Sequence, residues 1–177
     1  HFYKKTNLKY NLVFVASAEE EISGSNGIEL LFSNNDFHQL FKKEGSFALV
    51  GEPTQLGLAI AEKGLMVLDC EAVGVAGHAA REEGDNAIYK AIDAINWFRS
   101  FQFAKVSEIL GEMRMAVTSI HTDNKAHNII PASCKFVVDI RITDAYTHEE
   151  VLAIIEKNVQ VHFQPRSKRL RPSFISE

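Results

Sequence analysis

SCKFVVDIRI, residues 133–142, changes character at almost every step. Cys134, Phe136, Val138, Ile140 and Ile142 fall on one side, with Lys135, Asp139 and Arg141 on the other. A period of two predicts a strand with one face in a core and the other in water. LMVLDCEAV, residues 65–73, repeats the pattern with Met66, Leu68, Cys70 and Ala72 on its inner face. MRMAVTSIH (113–121) and VQVHF (159–163) read as two further strands. Asp85 is expected to cap a helix whose apolar stripe is Ile88, Ala91, Ile92, Ile95 and Phe98. Thr147 and Glu150 have the spacing of a capping box, ahead of a helix carrying Val151, Leu152, Ile154 and Ile155. The resulting order, β-α-β-β-α-β, is that of the ferredoxin-like split βαβ.

Before this region the pattern differs. LVFVA (12–16) and FALV (47–50) are continuous apolar runs rich in β-branched and aromatic residues, which predicts strands buried on both faces of a parallel sheet. Between them, Ile28, Leu31, Phe32, Phe37, Leu40 and Phe41 have helical spacing, so the segment reads as a βαβ crossover. The first run leads into Glu19, Glu20 and Glu21, and the second into Gly51-Glu52-Pro53. Ligands of open parallel sheets bind beyond the carboxyl ends of the strands, where both acidic groups would lie. The boundary between the two parts is placed between Gly57 and Gly64.

Composition narrows the function classes. The 177 residues are 46% hydrophobic and 24% charged, as in soluble globular proteins, with a formal net charge of −4. The one basic cluster, RSKRLR (166–171), is short and lacks interleaved aromatics, so it reads as a solvated turn or strand edge and not as a nucleic-acid surface. No apolar run approaches the ~18 residues of a membrane span. Cys70 and Cys134 sit in strand-like patterns without CxxC spacing, which suits reduced core thiols and a cytoplasmic location. The opening HFYKKTNLKYN, without Met, reads like the middle of a longer chain.

Three adjacent carboxylates exceed what a helix cap needs, since one acidic group near the N-terminus suffices. Carboxylates on neighbouring strand ends can bind a hard or borderline cation, and a third can take a proton from a metal-bound water whose pKa falls towards ~7. SAEEEISGSNG, VGEPT, EKG, GHAA, HNIIP and DIR, in that order, resemble the central part of the co-catalytic zinc amidohydrolase family. That family includes acetylornithine deacetylase, succinyl-diaminopimelate desuccinylase, aminoacylase and carboxypeptidases. The resemblance implies a zinc-binding α/β catalytic domain interrupted by a ferredoxin-like lid that mediates dimerisation. On this chain it implies a partial catalytic domain over residues 1–63, a lid over 64–170, and a return towards the catalytic domain over 171–177.

The same resemblance assigns residues. Glu20 is the general base, while Glu21 and Glu52 are ligands of two zinc ions, with cobalt as an alternative. His78 of GHAA stabilises the oxyanion, commonly in the partner subunit's site, and Asn128 and Arg141 grip the substrate's carboxylate. Without the family, His78 is only a loop His in a small-residue turn, and Arg141 an outward strand residue paired with a nearby acid. HTD at 121–123 has the form of the family's metal motif in the wrong place and reads as a chance loop. The family's upstream His and Asp ligands and late His do not occur here, and two carboxylates are too few for tetrahedral zinc. Activity is therefore expected of a longer parent: hydrolysis of an N-acyl amino acid, acetylornithine deacetylase-like, with the desuccinylase, an aminoacyl-peptidase or a non-catalytic dimerisation module as alternatives.

Overall fold

The alternating segments pair with one another along their whole length. In the computed structural model, which describes residues 9–20, 25–81 and 83–175, the elements in chain order are helices α1 (Ile28–Ser33) and α2 (Asn35–Phe41), strands β1 (Ala61–Glu62), β2 (Gly64–Val73) and β3 (Gly77–His78), helix α3 (Ala87–Ser100), strands β4 (Arg114–His121), β5 (Ile129–Ile130) and β6 (Ser133–Ile142), helix α4 (His148–Asn158), and strands β7 (His162–Pro165) and β8 (Ser173–Phe174). β2 and β6 run antiparallel in unbroken register from Gly64 opposite Ile142 to Val73 opposite Ser133. With β4 and β7 they form a four-stranded antiparallel sheet in the order β4-β6-β2-β7. The chain divides into two compact units, residues 1–53 and 54–177, described separately below.

In the second unit the alternation determines which face is covered. Met66, Leu68, Cys70 and Ala72 of β2, and Cys134, Phe136, Val138, Ile140 and Ile142 of β6, are all buried in one cluster with residues of α3 and α4. Each fully buried Leu, Ile or Phe contributes about 1.5–3 kcal/mol relative to exposure. The opposite sheet face stays charged: Arg166 grips Asp69 through two hydrogen bonds (2.9 and 2.7 Å) and holds its carboxyl below the usual range. Lys168 pairs with Glu149 at 3.2 Å, so part of the basic RSKRLR stretch is spent on ion pairs at the surface.

Two helix details differ from expectation. Asn86, not Asp85, caps α3, its side chain accepting from the Ile88 N–H at 2.9 Å. Asp85 is instead drawn into a two-way backbone bridge with Val75 and an ion pair with Lys90. The buried stripe of α3 is Ala87, Ala91, Ala94 and Phe98, while Ile92 is exposed. Alanines on that face let the helix backbone come close to the sheet, an advantage that weighting by bulk overlooks. The capping box of α4 forms as read: the Glu150 N–H donates to Thr147 Oγ1 at 3.1 Å, and the Thr147 N–H donates to Glu150 Oε2 at 2.8 Å. Val159 ends α4 instead of starting a strand, so β7 begins three residues later than predicted.

The first unit corrects the reading more deeply. Its helical segment is present, split at Asn34, whose side chain accepts from the Phe37 N–H at 3.1 Å. Phe32, Phe37 and Phe41 gather as a ring cluster with centroids 5.0–5.3 Å apart. Neither Leu12–Ala16 nor Phe47–Val50 is a strand, and the strand pairings among the described residues are all antiparallel. Phe14 is 89% exposed and Leu49 80%. A run that is apolar on both faces needs sheet neighbours to bury it, and no strand occurs among the described residues of this unit. The parallel-sheet part of the fold expectation therefore fails here.

Burial also fixes the thiols. Both cysteines are buried on the helix side of the sheet. Burial, reinforced by the nearby Asp69 charge, pushes the Cys70 thiol up to about 12, and burial raises Cys134 as well. Near pH 8 only about 10⁻⁴ of Cys70 is thiolate, the nucleophilic form. Ellman's reagent is therefore expected to leave both thiols untouched in the native chain and to titrate two per chain in denaturant. Rapid native-state reaction would show that the sheet–helix layer opens.

Candidate active site

His78 and Asn128 are brought together. β3 pairs with β5, placing Gly77 opposite Ile130 and His78 opposite Ile129, and the Ala79 N–H continues the ribbon by donating to the Asn128 carbonyl at 2.9 Å. GHAA and HNIIP, some fifty positions apart in the sequence, are thus the two sides of one short ribbon. Gly77 is required here: a Cβ on it would lie 2.3 Å from the Glu83 carbonyl oxygen. The chain turns directly after His78, the Arg81 N–H donating to the His78 carbonyl at 2.9 Å. Inside that turn the Ala80 N–H donates to His78 Nδ1 at 3.1 Å, which orients the half-buried ring.

Arg141 lies elsewhere. It projects from the charged face of β6 opposite Leu65 and Arg114, at the end of the sheet where the chain enters at Gly64 and Leu65 bonds back to Leu170. Eight residues of strand separate it from Ser133, about 26 Å at ~3.3 Å per residue, and the ribbon lies beyond Ser133. Asn128 and Arg141, assigned together to one carboxylate, are not brought together in one chain. Arg141 instead forks onto Asp139, with bonds of 2.8 and 3.1 Å. That pairing was foreseeable, since both residues fall on the outward side of the alternation.

In the first unit, Glu21 lies outside the described residues. Glu20 and Glu52 are described, and both are exposed. Glu19 is different. It takes a left-handed backbone conformation (φ 58°), and both of its carboxylate oxygens are occupied by Asn26, one by the side-chain amide and one by the backbone N–H, each at 3.0 Å. Those two bonds hold its carboxyl below the ordinary range. Of the adjacent acids, Glu19 is therefore bound within its own loop, whereas Glu20 is exposed. No cluster of three or more His, Cys, Asp or Glu side chains suited to a metal occurs among the described residues, which do not include Glu21. His121, at the end of β4, belongs to no such cluster either.

Residues 60–166 match the M20 family described as the peptidase dimerisation domain. The chain belongs to that family. The matched residues thus lie within the second unit and include the four-stranded sheet, both helices over it and the ribbon that carries His78. Among curated relatives, a succinyl-diaminopimelate desuccinylase from Ruegeria sp. is 30% identical over 118 residues, covering 63% of this chain and 30% of the relative. One from Orientia tsutsugamushi is 28% identical over 156 residues, covering 83% of this chain and 39% of the relative. The chain thus spans between about three tenths and two fifths of the length of these relatives. In fold, an amidohydrolase/peptidase from Burkholderia cenocepacia matches 66% of the chain, with a TM-score of 0.53 and 18% identity, over 30% of its own length. What the sequence left unread in this domain is the ribbon itself, because two-residue strands carry no periodicity. Its one signal is a glycine at 77, where two backbones meet.

Proposed function

We propose that a protein carrying this chain hydrolyses the amide bond of an N-acyl amino acid in a metal-dependent reaction, as a homodimer joined through a ferredoxin-like lid over residues 64–170. The observation that carries this reading is the separation inside the lid. A substrate of amino-acid size cannot touch His78 and Arg141 of one chain across more than about 26 Å of strand. Two copies related by a two-fold axis would let one copy supply His78 and the other Arg141 to the same substrate. β4 suits the junction, as an eight-residue outer strand without proline, whereas β7 is short and ends at Pro165. The lid reading is supported by the β-α-β-β-α-β order and by the strand order β4-β6-β2-β7.

The relatives' names favour a succinyl over an acetyl group, so a desuccinylase stands ahead of the acetylornithine deacetylase reading. In this reading Glu20 takes a proton from the attacking water and returns it to the leaving amine. The partner's His78 donates a hydrogen bond to the oxyanion, and Arg141 pairs with a substrate carboxylate. Glu21 and Glu52 are the proposed zinc ligands, and the metal supplies Lewis acidity when bound. Since the described residues assemble no three-donor set, the metal enters as a requirement for chelation to test.

Complementation tests the reading. Glu20→Gln and His78→Ala full-length proteins are each expected to be nearly inactive on an N-succinyl amino acid, and wild type to lose activity to a chelator. Unfolding and refolding the two variants together is expected to restore about a quarter of wild-type activity, because half of the dimers are mixed and each mixed dimer holds one intact site. No recovery on mixing would place His78 in its own chain's site or outside catalysis. Activity unaffected by chelation would remove the metal.

A further inference from the structure

The use of His78 depends on which ring nitrogen carries the proton, and the local backbone addresses that directly. A neutral imidazole donates from one nitrogen and accepts at the other. The Ala80 N–H donates to Nδ1 at 3.1 Å, so Nδ1 is the acceptor. A proton on Nδ1 would face the Ala80 N–H, donor against donor. The backbone around this bond has little freedom. Gly77 and His78 are paired to Ile130 and Ile129, the Ala79 N–H is held by the Asn128 carbonyl, and the Arg81 N–H closes the turn onto the His78 carbonyl. On the other side, Gly77 stands against the Glu83 backbone. Rotating the Ala80 N–H away would break several of these bonds together. Nε2 has no partner among the described residues, so it is the end of the ring open to a ligand.

We propose that the Ala80 backbone N–H fixes His78 as the Nε2–H tautomer, making the residue a hydrogen-bond donor that does not act as a proton acceptor. The side chain is thereby set, before any ligand arrives, to meet an oxygen that gains negative charge. Its catalytic consequence rests on the function proposed above, but the tautomer itself does not.

Two measurements separate these parts. Long-range ¹H–¹⁵N correlation spectra of the 177-residue chain at about pH 8, where ordinary imidazoles are neutral, are expected to show His78 with a pyrrole-type Nε2 and a pyridine-type Nδ1. The exposed His121 is expected to show shifts averaged between the two forms. A proton on Nδ1 of His78, or averaged shifts like those of His121, would overturn the proposal whatever the enzyme does. In the full-length protein, His78→Ala is expected to lower kcat by about 10²–10³-fold, the usual loss for one oxyanion donor. His78→Gln is expected to recover at least about tenfold of that, because its amide nitrogen reaches the Nε2 position. His78→Asn should not, since its amide nitrogen reaches only the Nδ1 position. A fixed tautomer with no activity loss in His78→Ala would end the catalytic reading and leave the backbone lock standing. Recovery by Asn instead of Gln would show that Nδ1 is the working end.

Discussion

Phe136→Ala is expected to cost the second unit about 3–5 kcal/mol of stability and to lower its melting temperature by roughly 10–20 °C. The ring is 1% exposed, sits on β6 opposite Cys70 of β2 and Ile120 of β4, and meets the Phe98 ring of α3 edge-on at 6.2 Å. It therefore joins three strands to one helix. Truncation to Ala removes the transfer energy of the ring and leaves a cavity that β-sheet neighbours, fixed by their ladder bonds, cannot close. Domains of this size have about 5–15 kcal/mol in total, so the loss is a large part of it. The single tryptophan, Trp97, sits in α3 stacked on Phe101 at 4.6 Å, so its fluorescence in a urea titration follows this unit and not the first. Leu58→Ala is the matched control: that side chain is 74% exposed, and its loss should stay within about 0.5 kcal/mol. A loss at Phe136 below about 1 kcal/mol would mean that the sheet–helix layer is not the source of cohesion.

The contrast between Phe136 and Phe14 explains how far the sequence could be read. Around Phe136 the alternation of SCKFVVDIRI states both that a strand forms and which face is buried, because the polar residues mark the side left in water. Around Phe14, LVFVA states only that something apolar seeks cover. With no polar side to mark an orientation, such a run becomes a strand only if neighbours arrive from elsewhere, and Phe14 is 89% exposed. The capping box of α4 was legible because its two bonds are local, whereas the cap of α3 moved by one residue because Asp85 is claimed by Val75 and Lys90 through tertiary contacts. The candidate site divides in the same way. Arg141 beside Asp139 follows from alternation along one strand, but the meeting of His78 with Asn128 depends on the β3–β5 ribbon. Pattern alone could not foresee that Asn128 and Arg141, set thirteen positions apart, lie at opposite ends of the sheet.

Replacing Glu20 by Gln in the full-length protein is expected to lower kcat by about 10²–10⁴-fold, with KM little changed. The acids of the Glu19–Glu21 run differ in their capacity to carry a proton. A general base must offer a carboxylate oxygen not already spent on another donor. Glu19 has both oxygens occupied by Asn26 at 3.0 Å, and its carboxyl is held below the ordinary range, so it is a poor proton acceptor at neutral pH. Glu20 is exposed and has no partner among the described residues. Gln keeps the size and loses the basicity, so substrate binding should survive while proton transfer fails. Glu19→Gln keeps one acceptor oxygen for the Asn26 backbone N–H and loses roughly one hydrogen bond, a change of about tenfold or less in rate if the loop's shape matters to its neighbour. Steady-state kinetics on an N-succinyl amino acid read both variants, and bound metal per chain separates a proton-transfer defect from a lost ligand. If Glu19→Gln were the crippled variant while Glu20→Gln turned over normally, the base would be the acid bonded to Asn26. The clasp in the free chain would then have to open during each catalytic cycle.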